Sequence, residues 1–265
     1  MDNDKEKMSS LPEFETPPIN EVVAGVFFDP LQGFRLPHFG LFWGKIKDQY
    51  PYCEHASRLI RGPVDNKPSS FFLPRVWLFN QERTSLIQMQ DDCFLFNWRR
   101  VTGDEAYPRY TKVIGEFQTR LKEYQGFLQD QSLPTPTILQ CELSYINHIP
   151  AGEIWQTPVE IRNFAPDLVW REQKRFLPDF ESSAWTGIFP LPEDFGKLTV
   201  SVRHGKKHTD GTPLYIIEFT ARGLGGDGSN ARINEWFNLA HEWIVQGFCD
   251  FTDVKIQKDK WRKKK

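Results

Sequence analysis

The sequence lacks the long apolar segments that direct proteins to membranes or to secretion. Its first ten residues, MDNDKEKMSS, are charged and polar and contain no apolar core, so we expect no signal peptide. No apolar run approaches the ~18 residues that a membrane span requires. These absences predict a cytoplasmic protein that does not contact a membrane.

Cysteine is scarce and scattered. No two of the four thiols form a CxxC pair; they are Cys53, Cys93, Cys141 and Cys249. A disulfide framework usually needs clustered cysteines in a small secreted domain, and a zinc site usually needs close pairs. The pattern therefore predicts reduced and mostly buried thiols.

The familiar catalytic and metal-binding motifs are also absent. The glycine-rich segment Gly223–Gly228 lacks the Lys-Ser/Thr of a phosphate loop, and no GxSxG elbow is present. His241-Glu242 lacks the second histidine of an HExxH motif, and His204 and His208 enclose two lysines that would repel a cation. We therefore predict no enzyme, no metal and no cofactor, with these three histidines as the remaining catalytic candidates.

What the sequence does contain is ample material for a folded core. Hydrophobic residues make up 39% of the 265 residues, including 22 Phe and 9 Trp, which excludes global disorder. The net charge is only −2, so there is no overall attraction to nucleic acid or anionic lipid. The length fits one large domain or two small ones.

The pattern of strands and helices divides the chain into two similar halves around the proline-rich segment 133–136. The first half is predicted to contain a strand, a short helix, a strand, a hairpin and a long helix at Glu21–Phe28, Pro37–Gln49, Arg75–Phe79, Ser85–Arg99 and Pro108–Leu128. The second half is predicted to contain a strand, a short helix, two strands, a hairpin and a long helix at Thr137–Asn147, Gly152–Ile161, Arg171–Phe176, Ala184–Phe189, Lys197–Ala221 and Ser229–Phe248. We expect a disordered lead-in at 1–16, half-repeats at 17–132 and 137–254, and a basic tail at 255–265.

A displacement of 121 positions superimposes the two halves. It places Glu21 on Glu142, and it places the aromatic strand of the first hairpin, Phe94–Trp98, on Tyr215–Phe219. Coincidence among aromatic strands is the alternative, because few residues are identical. If the repeat is real, the fold is α+β: a duplicated strand–helix–strands–helix unit that forms one curved antiparallel sheet with helices on one face, a pseudo-twofold saddle.

Two surfaces are candidates for binding. Polar residues alternate with apolar ones along the first hairpin and predict an open face for a protein partner, carried by Gln88, Gln90, Asn97, Trp98 and Arg99. The basic C-terminus surrounds one aromatic ring and predicts contacts to nucleic acid through Lys260, Trp261, Arg262, Lys263, Lys264 and Lys265. A solvated, frayed terminus is the alternative for the second surface.

Four segments carry a resemblance that spans the chain from Pro17 to Trp261. They are PPINEVV at 17–23, LIQMQDDCFLFNWRR with YPRY at 86–110, ELSYINHIP at 142–150 and AHEWIVQGFCDFTD at 240–253. Together they resemble a sporadically distributed family of bacteria and mobile elements, of about this length and without an established activity. The resemblance implies a single-unit cytoplasmic protein and fits antitoxin, immunity or antiviral-defence modules; it supplies no catalytic residues.

Three functions remain open. The leading hypothesis is a non-catalytic, antitoxin-like or immunity-like protein-binding module. The first alternative is a nucleic-acid-binding saddle protein helped by its basic tail. The second is a small-ligand sensor, which would require a pocket between the sheet and the helices. The oligomeric state is not predicted.

Overall fold

The computed structural model describes residues 11–59, 73–170, 175–207 and 209–264. The protein is α+β, and its paired strands run antiparallel. Within the described residues the strands are β1 (Ile19–Phe28), β2 (Tyr52–Ala56), β3 (Arg75–Phe79), β4 (Ser85–Met89), β5 (Cys93–Arg99), β6 (Ile138–Pro150), β7 (Ala184–Pro190), β8 (Lys197–Lys206) and β9 (Pro213–Gly223). The α-helices are α1 (Leu36–Ile46), α2 (Tyr110–Asp130), α3 (Asn230–Phe251) and α4 (Val254–Asp259).

The chain divides into two compact units. Unit A contains Glu21–Glu142 and Gly226–Ile233, and unit B contains the described parts of Met1–Asn20, Leu143–Gly225 and Asn234–Lys265. The strand order is β2-β3-β4-β5-β1 in unit A and β6-β9-β8-β7 in unit B. In each unit a strand, a helical segment, a meander and a long helix follow one another, and the meander's last strand neighbours the first strand. The meander has four strands in unit A (β2–β5) and three in unit B (β7–β9).

The core of unit A consists largely of aromatic rings between α1, α2 and the sheet. Helix α2 buries residues at three- and four-residue spacing: Val113, Phe117, Leu121, Tyr124 and Leu128. Phe94 of β5 stacks on Tyr124 with ring centroids 4.9 Å apart, and Phe42 of α1 contacts both rings. The predicted helices and hairpin of this half are therefore confirmed within a few residues.

The core of unit B is built by α3 against β8 and β9. Its buried positions again follow helical spacing, and the Trp236 Nε1 atom donates a hydrogen bond to the Phe195 carbonyl over 2.8 Å. Gly196 (φ 120°) and Gly223 (φ 152°) meet backbone to backbone: a Cβ on either would lie 2.0 Å from a carbonyl oxygen. Only glycine fits this contact, which fixes the β7–β8 turn against the end of β9.

Some boundaries differ from the prediction. The helix predicted at Gly152–Ile161 is a 3₁₀ helix at Pro158–Asn163. Of the strand predicted at Arg171–Phe176, residues 171–174 lie outside the described residues and the last two are not in a strand. Strand β2 was missed, because its sequence YCEHA is exposed on both faces and has no apolar alternation.

Candidate functional site

A cavity of about 540 Å³ lies within unit B, between the β7–β8 hairpin and helix α3. A volume of this size is typical of small-molecule binding sites, which span roughly 300–1,000 Å³. Four aromatic rings line it, and they come from both sides: Trp185, Phe189, Trp243 and Phe251. The cavity is the strongest candidate site among the described residues.

Strand β7 forms one wall because its large side chains alternate with small ones. Trp185, Gly187 and Phe189 share one face of the strand. The Trp185 ring lies over Gly187, where an added Cβ would be only 2.5 Å from Cη2 of the indole. The indole also stacks on Phe251 of α3, with ring centroids 5.3 Å apart and planes 29° apart.

The floor of the cavity is apolar and buried. Strand β8 contributes Leu198 and Val200, each 3% exposed. Helix α3 contributes Gly247, whose missing side chain would begin 3.6 Å from Leu198 Cδ2 and Phe219 Cε1. A larger residue at this position would therefore reach toward the floor, so Gly247 helps to keep the cavity open.

The polar part of the lining is acidic. Glu242, Gln246 and Asp250 are spaced by four residues on one face of α3, and Asp167 approaches from the loop after the 3₁₀ helix. None of these side chains forms an ion pair or hydrogen bond with another described residue. No Lys or Arg occurs among the described lining residues, so the cavity combines aromatic walls with three uncompensated carboxyl groups.

The predicted polar face of the first hairpin is not open, because its amides bond to one another. Gln88 is 6% and Asn97 3% exposed. The Gln88 Nε2 atom donates to Asn97 Oδ1 over 2.7 Å, and Asn97 Nδ2 donates to Glu21 Oε1 over 2.6 Å. Arg75 and Trp77 both donate to Gln88 Oε1. The expected solvent exposure is wrong, and a role in binding stays a prediction.

The other residues of that prediction are also engaged. Gln90 is 1% exposed, and its Oε1 accepts the Leu59 N–H over 2.6 Å. Arg99 is half-buried; its Nε donates to the Arg83 carbonyl. Trp98 points to the opposite face, where it is 8% exposed and contacts Tyr107. The five residues therefore do not form one surface.

The predicted basic tail is folded into unit B. Trp261 is 4% exposed and packs on Phe248 and Phe14, with centroids 5.0 and 6.4 Å away. Its ring cannot stack on a base in this position. The physical reason is that burial of large apolar rings outweighs the mutual repulsion of a few solvated cations.

Main-chain and ionic contacts complete this docking. The Lys264 N–H donates to the Glu13 carbonyl over 2.8 Å, and Lys263 Nζ donates to Gln257 Oε1 over 3.1 Å. Lys260 pairs with Glu153, and Arg262 lies 4.0 Å from Glu15. The part of the predicted lead-in at Leu11–Thr16 is therefore folded. The rest of that prediction, residues 1–10, and Lys265 lie outside the described residues.

Of the histidines that remained as catalytic candidates, His204 and His241 are described, and each packs beside aromatic rings. Burial lowers the pKa of His241 to about 3, and burial followed by the Lys206 charge lowers that of His204. His208 lies outside the described residues. Burial also raises the pKa of the Cys141 thiol to about 12, so this thiol is not an activated nucleophile.

No group of three or more His, Cys, Asp or Glu in the described part of the chain has the arrangement to hold a metal ion. No described helix is both long and apolar enough to cross a bilayer.

Sequence reasoning missed the cavity, although its signals are visible in hindsight. Large residues flank a glycine in Trp185-x-Gly187-x-Phe189, and polar residues recur every four positions from Glu242 to Asp250. Neither pattern indicates a cavity by itself, because the cavity forms only where β7 and α3 face each other in the folded protein.

Comparison with known proteins adds little. No protein-family model matches the chain. No curated protein matches it either. Among solved structures, DynU16, a protein of the dynemicin biosynthetic locus, is similar over 87% of this chain and 97% of its own, with 9% identity and a TM-score of 0.27. A similarity this low supports no conclusion about fold or function.

Proposed function

We propose that this protein binds a small organic molecule, without catalysis, in the cavity of unit B. The observation that carries the proposal is the cavity of about 540 Å³ between sheet and helix, the feature that a small-ligand sensor requires. Four aromatic side chains provide apolar contact, and the few polar groups of α3 provide orientation, as in most small-molecule sites.

A neutral fluorescent probe tests whether the cavity accepts a ligand. N-phenyl-1-naphthylamine emits strongly only in apolar surroundings, so titration should give a saturable rise in emission with one site per chain. The variant Gly247→Leu should abolish the rise, because the new side chain projects from α3 toward Leu198 and fills the space.

The matched control is Gly126→Leu, since Gly126 precedes Gly247 by 121 positions and occupies the corresponding part of α2. A Cβ at Gly126 meets nothing within 4 Å. Both variants gain the same helix propensity, but only the first should lose the probe. Equal binding by all three proteins, or no saturable binding by the wild type, would contradict the proposal.

The protein-binding hypothesis is a second candidate, and the edge strand β7 favours it. Its residues Ile188 and Phe189 are 63% and 42% exposed, and a terminal strand offers unpaired backbone groups to a partner. An antitoxin-, immunity- or defence-type partner would be found by a tagged pull-down at moderate salt with stoichiometric recovery. Recovery that is unchanged in Ile188→Lys would contradict a role for this edge.

The nucleic-acid alternative keeps the lysines of the C-terminus but loses the exposed ring on which it relied. It predicts salt-sensitive binding that falls when Lys263–Lys265 are removed. The internal duplication also remains a proposal. The common order of elements in the two units supports it, whereas the pseudo-twofold saddle and the family resemblance stay predictions.

A further inference from the structure

We infer that the cavity of unit B selects an organic cation, an aromatic or alkyl body that carries an ammonium group. This inference rests on the proposed function, because it assigns a chemical class to the ligand of the same cavity. It starts from the lining: Asp167, Glu242 and Asp250 bring three carboxyl groups, and no Lys or Arg occurs among the described lining residues.

The charge of the lining disfavours an anion and favours a cation over a neutral ligand. An anion would meet three like charges without a compensating cation. Asp167 and Asp250 are exposed and Glu242 is half-buried, so these carboxylates attract an ammonium group placed near them, whereas a neutral ligand gains nothing from their charge. An ammonium group displaces water from the carboxylates but offers them a positive charge in its place. It is therefore the headgroup that this lining accommodates best.

The aromatic rings point to the same class independently of the carboxylates. Trp185 and Trp243 belong to the residue type whose ring attracts ammonium groups most strongly, and Phe189 and Phe251 add further rings to the lining. Trp185 is held in place by its stack on Phe251. Rings fixed in this way suit a methylated ammonium, which is large and weakly hydrated.

A bare metal ion does not fit the same cavity. The acidic residues do not belong to any group of three or more described ligand side chains that could hold a metal ion. Carboxylates that are spread around an aromatic lining match a diffuse charge on an organic body. The apolar floor of Leu198 and Val200 then accommodates the uncharged part of the ligand.

Two probes of one shape separate charge from shape. (2-Naphthylmethyl)trimethylammonium and its neutral isostere 2-neopentylnaphthalene differ only by a quaternary nitrogen or carbon, and each can compete with N-phenyl-1-naphthylamine. We expect the cation to displace the dye at a concentration at least ~10-fold lower, because both the rings and the carboxylates favour it.

Two charge-matched variants locate the effect. Asp167→Asn/Glu242→Gln/Asp250→Asn removes the carboxylates of the cavity and should make the two competitors equal while dye binding persists. Asp29→Asn/Asp48→Asn/Asp104→Asn makes the same change of net charge at exposed positions of unit A and should keep the preference.

Each remaining result is decisive. Equal competition by the two probes in the wild type would overturn the inference that the cavity prefers a cation, but it would leave the proposed small-molecule site intact. A preference that survives in the cavity variant overturns the assignment to these carboxylates. Absence of dye binding in the wild type removes the proposed function, and the inference with it.

Discussion

Units A and B use the same order of elements but fill the space between long helix and meander differently. In unit A, helix α1 inserts Phe42 between Phe94, Tyr124 and Phe127, with ring centroids 5.4–6.4 Å apart. In unit B the corresponding connection forms a short 3₁₀ helix at Pro158–Asn163, and a cavity of about 540 Å³ lies beneath α3. The rings of Trp155 and Phe164 pack on Tyr215 in unit B, with centroids 4.9 and 5.3 Å away, so the difference is confined to the space between α3 and the β7–β8 hairpin, where unit B has room for a ligand.

The largest expected effect tests this contrast in packing. Phe94→Ala in unit A should lower the free energy of unfolding by about 3–5 kcal/mol, because a fully buried ring leaves a void among packed aromatics. Trp243→Ala in unit B should cost less than about 2 kcal/mol, since this ring is only half-buried beside an existing cavity. Urea unfolding of both variants measures the difference, and equal losses would refute the contrast.

Polar groups show a second difference between the units. The amides of Gln88 and Asn97 bond to each other in a buried network, whereas Glu242 and Asp250 have no described partner. Gln88→Ala should therefore lower the free energy of unfolding by about 2–3 kcal/mol, because buried donors and acceptors lose their hydrogen-bond partner. Glu242→Gln should be neutral, within about 0.5 kcal/mol.

Chemical denaturation of both variants measures these changes. A loss above about 1 kcal/mol in Glu242→Gln would mean that this carboxylate supports the fold and is not reserved for a ligand.

The sequence predicted those parts of the fold that depend on local periodicity. Helix α2, strand β3 and the β4–β5 hairpin were within a few residues of their observed bounds, because alternation and helical spacing determine them. The environment of Gln88 was wrong for a physical reason: alternation reports which side chains share a face, but not whether that face is covered. Trp261 was misjudged similarly, because neighbouring lysines hid an apolar ring whose partners, Phe14 and Phe248, are distant in sequence.

Acidification should also separate the two units. Burial lowers the pKa of His241 to about 3, and burial followed by the charges of Lys207 and Arg203 lowers that of His148 to about 4; both residues lie in unit B. An unfolded histidine titrates near 6.5. Below that pH these histidines bind protons in the unfolded chain but stay neutral in folded unit B. Their contribution to the free energy of unfolding is therefore fully present above pH 6.5, and it is lost as the pH drops toward their pKa values in the folded protein.

Between pH 7 and about pH 5, His241 should reduce the free energy of unfolding by about 2 kcal/mol. Hydrogen exchange should accelerate more in β8 and β9 than in β4 and β5. The variant His241→Phe keeps a ring beside Tyr145 and should lose part of this acceleration. If the variant is as sensitive to acid as the wild type, His241 is not the cause of the loss of stability at low pH.

Apart from the neutral change Glu242→Gln, the smallest expected effect concerns the pair of helix glycines. Gly126→Leu and Gly247→Leu should each stabilise the protein by about 0.5–1 kcal/mol, because leucine has the higher helix propensity. The leucine at 247 has an additional effect, since it also gains apolar contact with Leu198 and the cavity floor. Urea unfolding should therefore rank Gly247→Leu above Gly126→Leu in stability, although only the former loses the dye. Stability gained together with dye binding lost would show that the space beneath α3 accepts a ligand and that the fold does not need it empty; a loss of stability would contradict this interpretation.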